Sequence, residues 1–216
     1  MAATAPKAIE PKQERSRRTR DELLAACERL LVDRAFADVS VKDIVAEAGS
    51  SAGSFYARFE MKHVLLHALH TRMHERAMQG IAEAVDLLDG KKLAPKRFAG
   101  LLVASAIRLH QQNAGLLRAV LIESLTDLEF AERGRRLVRH TGEALAPALD
   151  VSSVSKARRA DAIESALLAV MAILDQELFY GRALLGKKRT GAEPAERIAR
   201  LERVAIAAMH LPERRR

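Results

Sequence analysis

Small, hydroxyl-bearing and cationic side chains are concentrated in one short stretch of the sequence. The run Ser51-Ala52-Gly53-Ser54 opens it, and Tyr56, Arg58 and Lys62 follow. Hydroxyl and cationic groups donate hydrogen bonds to phosphate oxygens and base edges, and small residues let a helix backbone approach a nucleic acid closely. The stretch therefore has the chemistry of a nucleic-acid contact surface. A tight turn buried inside a helical bundle would use similar small residues, and this interpretation is the alternative at this point.

Four histidines at helical spacing raise the question of a metal site. His63, His67, His70 and His74 follow i, i+4, i+7 and i+11 spacing, on one face of a helix. Two of these histidines could share a metal ion. All four cannot bind one ion, because the first and the last lie too far apart along the helix axis. No nearby cysteine or stripe of carboxylates completes a set of ligands. We therefore predict no metal and interpret this face as solvated or interdomain. A pH-responsive role is the alternative.

Signatures of catalysis and redox chemistry are missing from the sequence. We find no G-x-S-x-G, H-E-x-x-H or P-loop motif and no G-x-G-x-x-G after a strand, so we predict neither an enzyme nor a cofactor. The single cysteine, Cys27, excludes a disulfide framework and a thiolate zinc site. It falls on an apolar helix face, where a cysteine usually behaves as a small buried hydrophobe rather than a redox switch.

Composition restricts the fold to helices. The chain has 216 residues, of which 49% are hydrophobic and 30% charged, and it contains six Phe, two Tyr and no Trp. Because Gly and Pro are also scarce, a many-stranded sheet would lack both strand formers and turn residues. No stretch reaches the roughly 18 apolar residues of a membrane span, and the N-terminus lacks an apolar signal core. We expect a soluble, cytoplasmic, all-α protein.

The charge pattern favours a polyanionic partner. The formal net charge is +8. Glu10 and Glu14 are outnumbered at the N-terminus by a cluster of cations: Lys7, Lys12, Arg15, Arg17, Arg18 and Arg20. We interpret residues 1–14 as a flexible basic arm. Three other basic clusters are interpreted as solvated helix ends and loops, with diffuse attraction to nucleic acid as the alternative: Arg133-Arg135-Arg136-Arg139, Lys187-Lys188-Arg189 and Arg214 to Arg216.

Periodicity and capping signals place the stretch around residue 50 in a group of short helices. Apolar residues at i, i+4, i+7 and i+8 spacing predict a first helix within Arg17 to Phe36. Ser40, with Asp43 three residues later, predicts the N-cap of a short second helix. That helix should end at Gly49, because glycine adopts the left-handed cap without a Cβ penalty.

A third short helix is predicted to begin at Ser51 as its N-cap, and a fourth, longer helix runs from Met61 to Leu88. Two short helices joined by a tight glycine-containing turn and preceded by a supporting helix form the helix-turn-helix pattern. In that pattern the second short helix lies in the major groove of DNA. The helix-turn-helix would cover about residues 39–58.

The stretch from Val39 to Lys62, VSVKDIVAEAGSSAGSFYARFEMK, resembles the signature of TetR/AcrR-type transcriptional regulators. The resemblance places Ser40 on a phosphate-binding hydroxyl and Tyr56 on a phosphate-contacting tyrosine of the family. It is strong over about residues 15–80 and implies a DNA-binding domain there. The residues that it and the basic arm suggest for DNA contact are Arg17, Arg18, Ser40, Ser51, Ala52, Gly53, Ser54, Tyr56, Arg58 and Lys62.

Some positions depart from the family's pattern. Ser50 replaces an apolar turn residue, Ala52 stands where Lys, Arg or Pro is common, and Glu60-Met61 replaces the usual residues before Lys62. Arg58 occupies a position that often holds His. Its long side chain can make a bidentate contact to guanine, so we expect it to read a base, with a phosphate contact as the alternative.

The second half of the chain is predicted to be helical throughout. Periodic segments are Pro95 to Asn113, Ala114 to Leu125, Phe130 to Leu149, Lys156 to Leu185 and Pro194 to Met209. The fourth of these is apolar on most sides, and five helices can hardly cover it, so we expect it and the last helix to form a subunit interface. The predicted interface residues are Leu167, Val170, Leu174, Leu201 and Ala205.

The resemblance implies that residues 81–216 form an effector-binding and dimerisation domain. Polar residues near apolar helix faces are the candidates for the effector pocket: His110, Arg118, Glu123, His140, Asp175 and Tyr180. The predicted fold is thus an N-terminal three-helix DNA-binding domain joined by a long fourth helix to this C-terminal helical domain.

The expected function is a ligand-responsive homodimeric repressor that a small-molecule effector releases from a palindromic operator in double-stranded DNA. The alternative is a constitutive or architectural DNA-binding protein that uses the same fold without an effector. A helical interaction protein that binds no DNA would leave Ser51 to Ser54, Tyr56 and Lys62 unexplained.

Overall fold

The computed structural model describes residues 12–180 and 194–211 of the chain. Within these ranges it contains nine α-helices, two short 3-10 helices and a single isolated bridge, between Leu93 and Leu149. The α-helices are α1 (Lys12–Leu31), α2 (Val41–Glu47), α3 (Ala52–Tyr56), α4 (Lys62–Leu88), α5 (Pro95–Gln112), α6 (Ala114–Glu123), α7 (Leu128–Leu145), α8 (Lys156–Tyr180) and α9 (Pro194–Met209). The prediction of an all-α fold is confirmed. None of these helices is both long and apolar enough to cross a membrane.

Two helices end earlier than predicted, and a short 3-10 helix follows each of them, after four non-helical residues in the first case. The first helix ends at Leu31, and Phe36 begins the 3-10 helix Phe36–Asp38. Phe36 is nevertheless buried. It fits the apolar spacing of the first helix although it lies beyond the end of that helix. The predicted helix from Phe130 to Leu149 likewise stops at Leu145, followed by Ala146–Ala148. Leu185, most of the predicted arm, and the basic clusters at 187–189 and 214–216 lie outside the described residues.

The described residues fold as two compact units, which divide between Leu69 and His70. The predicted domain boundary at residue 80 falls later, within α4. In the first unit α1 packs against α2 and α3, and α2 packs against α3. The buried side chains that hold these helices together come from all three helices, from the segment after α3 and from the start of α4: Leu23, Leu24, Cys27, Leu31, Ile44, Phe55, Phe59, Leu65, Leu66 and Leu69.

In the second unit α8 is the central helix. It packs against α5, α6, α7 and α9. The predicted interface residues Leu167, Val170, Leu174, Leu201 and Ala205 are all buried in the core that these helices form within one chain. Their assignment to a subunit interface is therefore wrong. Helices of the same chain cover the apolar faces of α8 that were expected to need a partner.

The close approach of α7 to α8 depends on Gly142. A Cβ at this position would lie 2.8 Å from the carbonyl oxygen of Ala160 and 2.8 Å from Cγ of Glu164. Because a backbone carbonyl cannot move aside without shifting its helix, we expect Gly142→Ala to lower the free energy of unfolding by about 1–3 kcal/mol. Urea denaturation at a fixed protein concentration measures this change.

Gly134 provides a matched control on the same helix. A Cβ there meets no heavy atom within 4 Å. Gly134→Ala should therefore stabilise the protein by up to about 1 kcal/mol, because alanine favours the helix over glycine. Equal effects of the two substitutions would contradict the close contact at Gly142.

Candidate nucleic-acid interface

The start of α2 is held by a capping box. Ser40 Oγ accepts a hydrogen bond from the backbone N–H of Asp43 at 3.1 Å, and Asp43 Oδ2 accepts one from the backbone N–H of Ser40 at 2.8 Å. The Ser40 backbone and hydroxyl hydrogen bonds, followed by that of Arg34, lower the pKa of Asp43 to about 2. The predicted N-cap is confirmed. The Ser40 hydroxyl also donates to Asp43 Oδ2 at 2.7 Å, so this candidate DNA contact is engaged in the cap.

The turn after α2 depends on a left-handed glycine. Gly49 has a φ of +59°, a conformation that costs residues with a Cβ free energy. The N–H of Ser50 donates to the carbonyl of Val45 at 2.8 Å and closes the end of the helix. The predicted end of the second helix near Gly49 is confirmed.

The next helix, α3, has one buried and one exposed side. Ser51 caps it by accepting a hydrogen bond from the backbone N–H of Ser54 at 3.1 Å, as predicted. Phe55 is fully buried and packs against Phe59, with ring centroids 5.6 Å apart. The adjacent Tyr56 is 58% exposed. Because Ala52 and Gly53 are also exposed, the outer side of α3 combines small residues with one aromatic hydroxyl.

A cleft of about 630 Å³ separates the start of α1 from α3 and the turn before it. Ser51, Ser54 and Arg58 of the predicted DNA-contact set line it. Sequence reasoning missed the residues that α1 contributes: Arg15, Ser16, Thr19 and Glu22. Their i, i+1, i+4 and i+7 spacing, which marks one face of a helix, was the available signal. Hydroxyl and cationic groups on both walls give the cleft donors for phosphate oxygens, with Glu22 as its acidic member.

Two of the predicted contact residues are engaged within the first unit. Lys62 Nζ donates to the carbonyl oxygens of Phe36 at 2.6 Å and Val39 at 2.8 Å, and it lies 4.3 Å from the centroid of the Phe36 ring. Arg58 Nε donates to the carbonyl of Ser16 at 3.1 Å, and its Nη1 donates to that of Ser54 at 2.8 Å. Both cations are only partly exposed.

Cations on α1 are more accessible than these two. Arg17 and Arg18 are exposed. Arg18 pairs with Glu22 one helical turn later at 3.1 Å, an arrangement in water that contributes little to stability. Arg29 pairs with Glu47 at 2.6 Å and so connects α1 to α2. The start of α1 thus presents positive charge, and its later part braces the helix-turn-helix.

Cys27 has the environment of a structural residue. It is fully buried on α1. Burial raises the pKa of its thiol to about 12, so the reactive thiolate is scarce at neutral pH. The prediction of a buried hydrophobe rather than a redox switch agrees with this environment.

Two of the predicted pocket residues meet in the second unit. His110 on α5 is buried, and its Nε2 lies 2.9 Å from Oδ1 of Asp175 on α8. Its Nδ1 lies 3.0 Å from the carbonyl oxygen of Ala106. Arg118, Glu123 and His140 are partly exposed on α6 and α7, and Tyr180 is half exposed at the end of α8.

The histidine face is more buried than expected. His70 and His74, both in the second unit, are 2% and 9% exposed, so of the two predicted environments, solvated or interdomain, the solvated one does not apply to this pair. Their rings meet edge to face, with centroids 4.3 Å apart. Arg133 on α7 donates from Nη1 to Nδ1 of His70 at 3.3 Å, and Phe130 packs against the same ring. These contacts anchor α4 to α7.

Comparison with known proteins identifies the helix-turn-helix region. The family model described as bacterial regulatory proteins, tetR family, matches residues 23–69. A search of curated proteins gives no match. The matched segment covers the end of α1, the capping box, the turn, α3 and the start of α4.

Solved structures resemble the chain over most of its length. A protein assigned to the TetR family of transcriptional regulators from Mesorhizobium loti is 16% identical with a TM-score of 0.62, covering 90% of this chain and 95% of the other. A tetR-family regulatory protein from Rhodococcus RHA1 is 17% identical with a TM-score of 0.59, covering 90% and 98%. A regulator from Aquifex aeolicus is 14% identical with a TM-score of 0.56, covering 88% and 97%. The chain thus carries a tetR-family helix-turn-helix region over residues 23–69 and shares the all-α fold of these solved structures.

Proposed function

We propose that the chain is a homodimeric repressor that binds a palindromic operator and is released from it by a small-molecule effector, acting in the cytoplasm. The observation that carries this proposal is the outer side of α3. Phe55 anchors the helix from within, while Tyr56, Ala52 and Gly53 face outward. A helix presented in this way behind a supporting helix can enter the major groove of DNA.

The proposed contacts divide into two groups. Tyr56 and the small residues at the start of α3 approach the base edges and the adjacent phosphates. The exposed Arg17 and Arg18, with the hydroxyl groups that line the cleft, contact the phosphate backbone on the side of α1. Phosphate contacts of this kind release counterions, so binding should weaken strongly as the salt concentration rises.

A palindromic operator requires a two-fold symmetric dimer. We place the subunit interface on the outer faces of α8 and α9 rather than on their buried residues. Leu168 on α8 is 54% exposed and Ile206 on α9 is 39% exposed. Exposed small residues on the same helices, Ser165, Ala172 and Ala207, would let two helices approach each other closely.

The effector is proposed to bind the second unit. The buried His110 and the partly exposed Asp175 supply paired polar groups beside an apolar core, the combination that orients ligands in most pockets. The remaining candidates are Arg118, Glu123, His140 and Tyr180. An effector that binds better to the conformation with lower DNA affinity must, by linkage, weaken DNA binding by the same factor.

Selection of bound sequences from a random double-stranded DNA pool tests the proposal. The expected result is a palindrome bound by two protomers, with affinity that falls steeply between two salt concentrations. A screen of small molecules against this complex should then find one that releases the DNA. Failure to enrich any sequence would contradict a sequence-specific repressor. An enriched palindrome that no compound in a broad screen releases would favour the constitutive alternative.

A further inference from the structure

Arg58 connects two elements that are far apart in the sequence. Its side chain lies in the turn after α3 and is partly buried. Nε donates to the carbonyl of Ser16 in the first turns of α1, 42 positions away, and Nη1 donates to the carbonyl of Ser54 within α3. One guanidinium therefore spans from the start of α1 to the helix that is proposed to enter the groove.

The bond to Ser54 replaces a missing helical hydrogen bond. In a continuing α-helix the N–H of Arg58 would donate to Ser54, but it donates to the carbonyl of Phe55 at 2.9 Å instead. The side chain of Arg58 donates to the Ser54 carbonyl in its place. A cation at the C-terminal end of a helix is also favoured by the helix dipole. Arg58 thus completes the end of α3.

The same bonds oppose the role that the sequence predicts for this residue. A bidentate contact to guanine needs two neighbouring donors of the guanidinium. Nε and Nη1 each donate one N–H to a protein carbonyl, so two of the five N–H donors are engaged and the remaining three can turn toward a base only as far as these two bonds allow. Arg58, Ser16 and Ser54 also line the cleft between α1 and α3. The bond to Ser16 crosses the cleft and joins its two walls.

We propose that Arg58 is a positioning residue that clamps the start of α1 to α3, holding the cations of α1 in place relative to the DNA-contacting helix, and that it does not read a base. This inference rests on the proposed DNA-binding function. It predicts that the contribution of Arg17 to DNA binding depends on Arg58, although no contact between the two side chains is needed.

The test compares the full-length parent with Arg58→Ala, Arg17→Ala and the double variant. The DNA is the palindrome selected from the random pool, with every base pair substituted in turn. We expect Arg58→Ala to weaken binding about 10-fold to 100-fold with an unchanged pattern of base preferences. Arg17→Ala should weaken binding in the parent but have little further effect once Arg58 is removed. Arg76→Ala, an exposed substitution on α4, is the matched control and should bind like the parent.

Two outcomes would overturn the proposal. Loss of discrimination at one base pair of each half-site in Arg58→Ala would make Arg58 a base-reading residue. Equal effects of Arg17→Ala with and without Arg58 would show that the two residues act independently, as separate phosphate contacts do.

Hydrogen exchange without DNA separates this inference from the proposed function. We expect amides at the start of α1 to exchange about tenfold faster in Arg58→Ala than in the parent or in Arg76→Ala, because the clamp is lost. Unchanged exchange there would overturn the clamp. A chain that enriches no duplex would contradict the proposed function, and the exchange experiment would still decide whether Arg58 joins α1 to α3.

Discussion

Phe55→Ala is expected to lower the free energy of unfolding by about 3–5 kcal/mol, whereas Tyr56→Ala changes it by no more than about 1 kcal/mol. The two residues are neighbours on α3, but Phe55 is fully buried and Tyr56 is 58% exposed. Removing the Phe55 ring leaves a cavity beside Phe59, whose ring centroid lies 5.6 Å away. Tyr56 contributes an edge contact to Phe55 with centroids 5.3 Å apart, which accounts for its small expected effect. Urea denaturation measured by circular dichroism gives both values.

Tyr56→Ala should impair DNA binding although it barely changes stability. Tyr56→Ala is expected to keep the parent's helical content and to lose about tenfold or more in affinity, since a dimer loses one contact in each half-site. Tyr56→Phe isolates the hydroxyl, because it keeps the ring and its packing. Unaltered affinity of Tyr56→Ala for the selected palindrome would exclude the outer side of α3 as the contact surface. A stable Phe55→Ala variant would contradict the packing of α3.

Acidification is expected to destabilise the second unit through His74. Burial, and then the charges of Arg133 and Arg136, lower the pKa of His74 from 6.5 to about 4. The unfolded chain therefore takes up a proton on this residue at a higher pH than the folded chain does. The stability that is linked to the lowered pKa of His74 is fully present above about pH 6.5 and is lost as the pH falls toward 4. A pKa difference of this size between the unfolded and folded chains corresponds to about 3 kcal/mol in the free energy of unfolding.

Urea denaturation of the parent and His74→Leu at pH 7 and near pH 4 tests this prediction. Other groups titrate in the same range, so the quantity of interest is the difference between the two proteins. His74→Leu should lose about 3 kcal/mol less than the parent on acidification. Gln79→Leu, an exposed substitution on the same helix, is the matched control and should lose as much as the parent. Parallel losses in His74→Leu and the parent would mean that His74 is protonated alike in the folded and unfolded chains.

Features that depend on neighbouring residues could be predicted well. The capping box of Ser40 and Asp43, the turn at Gly49 and the cap at Ser51 each involve groups within a few positions of one another. Local hydrogen bonding and backbone conformation decide such features, so the sequence carries their full signal. The resemblance over Val39 to Lys62 added the family, which the match to residues 23–69 supports.

The hydrogen-bond partners of long side chains could not be predicted in this way. Lys62 donates to the carbonyl of Phe36, 26 positions away, and Arg58 to that of Ser16, 42 positions away. Nothing in the spacing of either residue shows that a protein carbonyl will compete with DNA for its donors. Both were therefore predicted to contact DNA directly.

The sequence by itself determined that this protein is helical, that its short helices around residue 50 form a helix-turn-helix, and that residues such as Leu167 and Ala205 are buried. Only the tertiary structure decided what buries them. Hydrophobic periodicity reports that a side chain leaves water, but the hydrophobic effect is non-directional and does not specify whether the covering surface comes from the same chain or from another. Here α8 and α9 bury both residues within one chain, and the outer faces of these helices are what is left to meet a partner.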